Sequence, residues 1–135
     1  MNDKEFLTAL ERCELPEPEF RHAAHVRAAY LYLRAYAFPV ALNRMRSAIR
    51  GYAAHLGKLE KYHETITVAF LALIQQRLVE RGDSGDWDGF QRANPELLQK
   101  DLLLQYYDKQ ELASDLARRT FVLPRPTAAR AARCA

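Results

Sequence analysis

Glycine and cysteine are scarce in this sequence, and long apolar runs are missing altogether. Five glycines, and no Asn-Gly or Asp-Gly pair set between alternating apolar and polar runs, argue against hairpins and against an antiparallel sheet. No stretch approaches the roughly 20 uninterrupted apolar residues that a bilayer-crossing helix needs. The opening "MNDKEFLTALERCELPEPE" lacks the basic-then-apolar order of a secretory leader. These absences predict a soluble, cytoplasmic protein with no membrane partner. Cys13 and Cys134 stand near opposite ends of the chain, so reduced thiols are expected in place of a disulfide framework. There is no Gly-rich phosphate loop and no nucleophile elbow.

Acidic residues are also missing from one region. All 17 precede Arg118, and the chain before that point holds 15 basic residues against them. The pI of about 9.0 therefore comes from the C-terminal end. Residues 123–135, "LPRPTAARAARCA", combine two prolines, small side chains and arginines, the composition of a loosely held basic tail after a single domain over 1–122. Arginines without interleaved aromatics argue against nucleic acid as a partner.

What remains is helical periodicity nearly throughout, at a length that suits one domain with a real core. The pattern predicts an all-α helical bundle with a four-helix-like core and additional C-terminal helices. A first helix is expected over about Asp3 to Cys13, ended by Pro16 and Pro18, and a second over Glu19 to Ala37. A third should start at Pro39 and run to His55 before Gly57, and a fourth should begin near Tyr62 or His63 and end at "ERGDSGD". Beyond it, Asp86 is placed to cap a short turn, Pro95 to start a helix through "PELLQKDLLLQYY", and Asp108 to cap a last helix.

Two of the four histidines, His22 and His25, lie three residues apart and so share one side of the second helix, the side that Val26, Ala29 and Leu33 bury. His63 heads the buried stripe Ile66, Phe70 and Ile74 of the fourth. Short connections make consecutive helices antiparallel, so both histidine pieces fall at the same end of the bundle. His22, His25 and His63, with Glu64, are then expected to converge on one inner pocket. Three imidazoles and a carboxylate suit a divalent transition metal, with zinc, iron, copper or nickel all compatible. Against this, His-x-x-His alone is unspecific, and positive helix N-termini favour anions, so a cation there needs Glu64 or Glu19 to offset it. Neutral histidines at those ends could instead bind a carboxylate or oxyanion and shuttle its proton, with Glu64 as base or orienter. A third reading has the rings merely satisfying one another in an interaction module. His55 reads as a favourable C-terminal charge at a solvated end. Tyr62 can reach the pocket or pack, Thr65 is expected to hydrogen-bond in a first turn, and Arg27 and Arg118 could clamp an acidic substrate.

"FRHAAHVRAAYLYL", then "GKLEKYHETITVAFLALI", then "SDLARRTFVLP" resemble an uncharacterised all-helical family of small bacterial proteins with the pattern F-x-H-x-x-H-V-R, then Y-H-E-T, then A-R. The similarity spans Phe20 to Pro124. It implies His22, His25, Arg27, Tyr62, His63, Glu64, Thr65 and Arg118 as the functional positions and implies no particular reaction. The ending "RPTAARAARCA" departs from that pattern. The sequence reading is therefore a small metal-dependent enzyme acting on a small molecule. His22, His25, His63 and Glu64 would hold the metal, and Glu64, Tyr62 and Arg27 would serve catalysis. The rivals are a metal-free carboxylate or oxyanion site on the same histidines and a non-catalytic interaction module. The sequence leaves the oligomeric state open.

Overall fold

The computed structural model describes residues 1–126, and among them the chain is all-α, with seven α-helices and no strand. The helices are α1 (Asp3–Glu11), α2 (His22–Ala35), α3 (Phe38–His55), α4 (Glu64–Arg81), α5 (Trp87–Ala93), α6 (Lys109–Ala113) and α7 (Asp115–Arg119). Single turns of 3-10 helix stand between several of them.

Local chemistry sets most of the boundaries. The Asn2 side chain accepts from the amide of Glu5 at 2.8 Å and caps α1. Cys13 (φ 59) closes it in the left-handed region, with the Glu14 amide bonded back to the Ala9 carbonyl at 2.8 Å. The expected start of α2 at Glu19 lies three residues too early. Glu17–Glu19 instead form a separate 3-10 turn containing Pro18, so His22 is the first residue of the α-helix itself. Pro39 occupies the first turn of α3, where its missing N–H costs nothing, and Gly57 (φ 70) ends that helix.

The C-terminal part differs more. Pro95–Leu98 and Leu102–Gln105 are two 3-10 turns where one helix was expected. The last helix is split at Ser114, whose hydroxyl caps α7. Asp108 and Glu111 form a reciprocal capping box at the start of α6.

Helix α2 is central. It packs on α3 and α4, and at one side on α5 and the 95–98 turn. One cluster of buried side chains joins all of these, with Leu10, Tyr30, Ala41, Ile74 and Phe90 fully enclosed. Residues 121–126 form no helix or strand, and their start is tied to the first turn of α4. Thr65, wholly buried, donates to the Thr120 carbonyl at 2.8 Å and accepts from the Val122 amide at 3.1 Å. Tyr107 donates to the Val122 carbonyl at 2.7 Å, and the Arg125 amide donates to Glu111 at 3.2 Å. The expected loose tail therefore begins with a strap anchored as far as Arg125, and its remainder lies outside the described residues. No helix is long and apolar enough to cross a membrane among the described residues.

Candidate functional site

The first turns of α2 and α4 do meet. His22 and His25 from α2, Met45 and Ile49 from α3, and Ile66, Thr67 and Phe70 from α4 enclose a small cavity of about 60 Å3, floored by Leu71 and Ile74. Above it lies a cleft of about 670 Å3, which shares His22, His25, Ile66 and Phe70 with the cavity and adds Glu17, Phe20, Arg21 and Lys100. The two imidazoles thus sit at a boundary, with apolar walls below and charged side chains above.

Each ring is held by a different contact. His22 donates from Nε2 to the Leu97 carbonyl at 2.9 Å and meets the Phe70 ring edge-on at 4.9 Å. A carbonyl only accepts, so Nε2 carries the proton and Nδ1 keeps its lone pair. His25 stacks on Phe20, with centroids 4.0 Å apart and planes 17° from parallel, and Phe20 in turn meets the edge of Tyr52. Burial pulls the pKa of His25 down to about 4, the neighbouring His22 adds to this, and the Phe20 backbone opposes it. Burial also lowers that of His22, which the Leu97 carbonyl resists and the Lys100 charge reinforces. Both rings stand in the first turn of α2, where the helix dipole disfavours a cation as well. Near pH 7 the pair is neutral.

The other members of the expected metal set are committed elsewhere. His63 is the N-cap of α4; its Nδ1 accepts from the Ile66 amide at 3.1 Å, and its Nε2 donates to the Leu112 carbonyl at 2.7 Å. Both nitrogens are occupied, so no lone pair remains for an ion. Glu64 is gripped by Arg46 through Nε (3.1 Å to each oxygen) and Nη2 (2.6 Å), and its Oε1 also accepts from the Tyr62 hydroxyl at 2.6 Å. The Arg46 hydrogen bonds hold its carboxyl below the usual range, and burial together with Glu64 pushes the Tyr62 phenol up to about 12. The donor set therefore does not fit a metal held by His22, His25, His63 and Glu64. Among the described residues no three His, Cys, Asp or Glu side chains are placed to hold one ion together.

Two arginines also have structural partners. Arg27 pairs with Asp3 at 2.7 Å, donates to the Met1 carbonyl at 3.3 Å and lies 4.5 Å over the Phe6 ring, so it fastens α1 to α2. Arg118 bonds the Glu60 carbonyl at 3.2 Å and Asp115 at 2.7 Å. Neither lines the histidine pocket.

Sequence reasoning missed the stacking role of Phe20 and the presence of Arg21 and Lys100. Phe20 could have been found as the aromatic residue just before the helix. Lys100 sits in the irregular stretch between the two 3-10 turns of residues 95–105, where periodicity carries no signal. Phe70 was legible as part of the α4 stripe. The Tyr62–Glu64–Arg46 group lies just behind Thr67, whose hydroxyl bonds the His63 carbonyl at 2.9 Å and is also in hydrogen-bond reach of Tyr62. Compared with known proteins, the chain matches no family model, no curated protein and no solved structure.

Proposed function

We propose that the chain binds a small carboxylic acid anion at the His22–His25 pocket and exchanges a proton with it through His22. The observation that carries this is the placement of a neutral imidazole, with a free Nδ1 lone pair, between an apolar cavity and a cleft bearing Lys100 and Arg21. Glu17, the acid in that cleft, is already paired with Lys58. Lys100 has no ion-pair partner among the described residues. The carboxylate would lie toward Lys100 and Arg21, and the alkyl end would enter the cavity. A dry apolar cavity of about 150 Å3 takes up one benzene, so the 60 Å3 here accepts roughly two or three carbon atoms.

Binding an anion beside His22 raises the affinity of Nδ1 for a proton. That proton comes from bulk solvent, the imidazolium shares it with the bound carboxylate, and the Leu97 carbonyl steadies the charged ring through Nε2–H. His25, stacked on Phe20 and half-buried, positions the rim. This reading supports binding and proton exchange and specifies no bond-breaking reaction.

The test is calorimetric titration with straight-chain acids from formate to hexanoate, each in two buffers of different ionisation enthalpy. Affinity should rise with chain length to about four carbons and then fall, with proton uptake on binding that His22→Gln abolishes. Binding that is indifferent to chain length, or accompanied by no proton uptake, would sink the reading.

A further inference from the structure

A second cleft, beside Tyr62, gathers positive charge. It measures about 390 Å3 and is lined by Arg50 from α3, Leu59 and Glu60 from the 3-10 turn before α4, Tyr62, and Arg118 and Arg119 from α7. Three guanidiniums from positions some seventy residues apart in sequence therefore face one space. We infer that this cleft binds the phosphate group of a small phosphomonoester.

The arginines are held in place. The Arg50 guanidinium lies 5.3 Å over the centroid of the Tyr62 ring. That ring is buried and fixed by its bond to Glu64 at 2.6 Å. Arg50 has no carboxylate partner among the described residues; its charge acts on the Glu64 carboxyl from a distance and helps keep it ionised. Arg118 is anchored by the Glu60 carbonyl at 3.2 Å, which orients its head without neutralising it. Two acids stand at the rim. Asp115 is shared by Arg118 at 2.7 Å and Arg119 at 3.3 Å, and Glu60 lines the cleft itself. Three cations against these two leave a positive site.

Phosphate matches this arrangement for stereochemical reasons. A phosphomonoester presents three terminal oxygens and close to two negative charges at neutral pH, so it can take paired N–H donors from two forks at once. A single carboxylate would engage only one. Anchored guanidiniums lose less side-chain freedom on binding than free ones. The volume is that of a small-molecule site, and Leu59, substantially exposed at 43%, offers an apolar wall for the organic part of the ester.

The site is separate from the histidine pocket, and its test does not depend on that one. The full-length chain is titrated with phenyl phosphate, inorganic phosphate and sodium sulfate at constant ionic strength. Backbone resonances and the arginine Nε–Hε signals are followed by NMR. Saturable shifts at Tyr62, Arg50 and Arg118 are expected, tighter for phenyl phosphate than for inorganic phosphate. Arg50→Gln and Arg119→Gln, which remove one ring contact and one exposed ion pair, should each weaken binding about tenfold in a protein that keeps its fold. Tighter binding of inorganic phosphate than of the ester would overturn the assignment to an organic ligand. Equal response to sulfate, retention of affinity in Arg50→Gln, or no saturable shift would overturn the site.

Discussion

His22 with His25, and His63, head neighbouring helices at the same end of the bundle, yet their chemical standing is opposite. His63 caps its helix with one nitrogen and bonds a distant carbonyl with the other, so the fold uses it completely. His22 has one nitrogen engaged and one free, and His25 is held by a ring stack. An imidazole's position on a helix therefore says where it is, while its hydrogen-bond partners say whether it remains available for chemistry. The same holds for carboxylates: Glu64 is near the pocket, yet both its oxygens are taken by Arg46 and Tyr62.

Three measurements can break or sharpen that contrast. The largest effect should be on the pH dependence of stability. The folded chain holds His25 with a pKa of about 4 against 6.5 for an unperturbed ring, so the unfolded state binds more protons between those values. Stability is then complete above about pH 6.5 and falls as pH drops toward 4, by up to about 3 kcal/mol at 1.36 kcal/mol per unit. The lowered His22 acts in the same direction. Urea melts at pH 7 and pH 4.5 should show the loss, and His25→Phe should remove most of it. An equal loss in that variant would show that His25 is not its source.

Next in size is His63→Ala, which deletes the α4 cap and the bond to Leu112. It should cost about 2 kcal/mol of stability by chemical denaturation while leaving carboxylate affinity within about twofold. His63→Asn, which restores a capping acceptor, should recover part of that stability. A large loss of affinity in a folded His63→Asn protein would dissolve the distinction between the two regions. Smallest in stability is the mirror case, Lys100→Ala. An exposed side chain without an ion pair should change stability by less than about 0.5 kcal/mol, yet carboxylate binding should weaken about fivefold. Unchanged affinity would remove Lys100 from the site.

Much of the fold was legible in the sequence because its punctuation is local. Pro39, Gly57, Asp86 and Asp108 mark helix ends through geometry that each residue carries by itself. The 95–107 stretch was not, because the Leu97 carbonyl accepts from His22 seventy-five residues away while the local backbone turns in 3-10 fashion. Of the site, the shared end of α2 and α4 followed from helix length and short turns. The fate of His63 did not. Histidine is not among the common capping residues, and Leu112 meets His63, as Arg46 meets Glu64, only in three dimensions. Neither Lys100 nor the meeting of Arg50 with Arg118 leaves a periodic trace.

The strap over α4 and the two imidazole-to-carbonyl bonds link positions separated by 55, 75 and 49 residues. Such distant ties close large loops, and the entropy of each closure must be met before the contact can form. A truncated polypeptide ending before Pro95 would carry every histidine and still be unable to assemble the pocket's rim. Ligand competence should accordingly arrive late in refolding, after most helical signal has been regained.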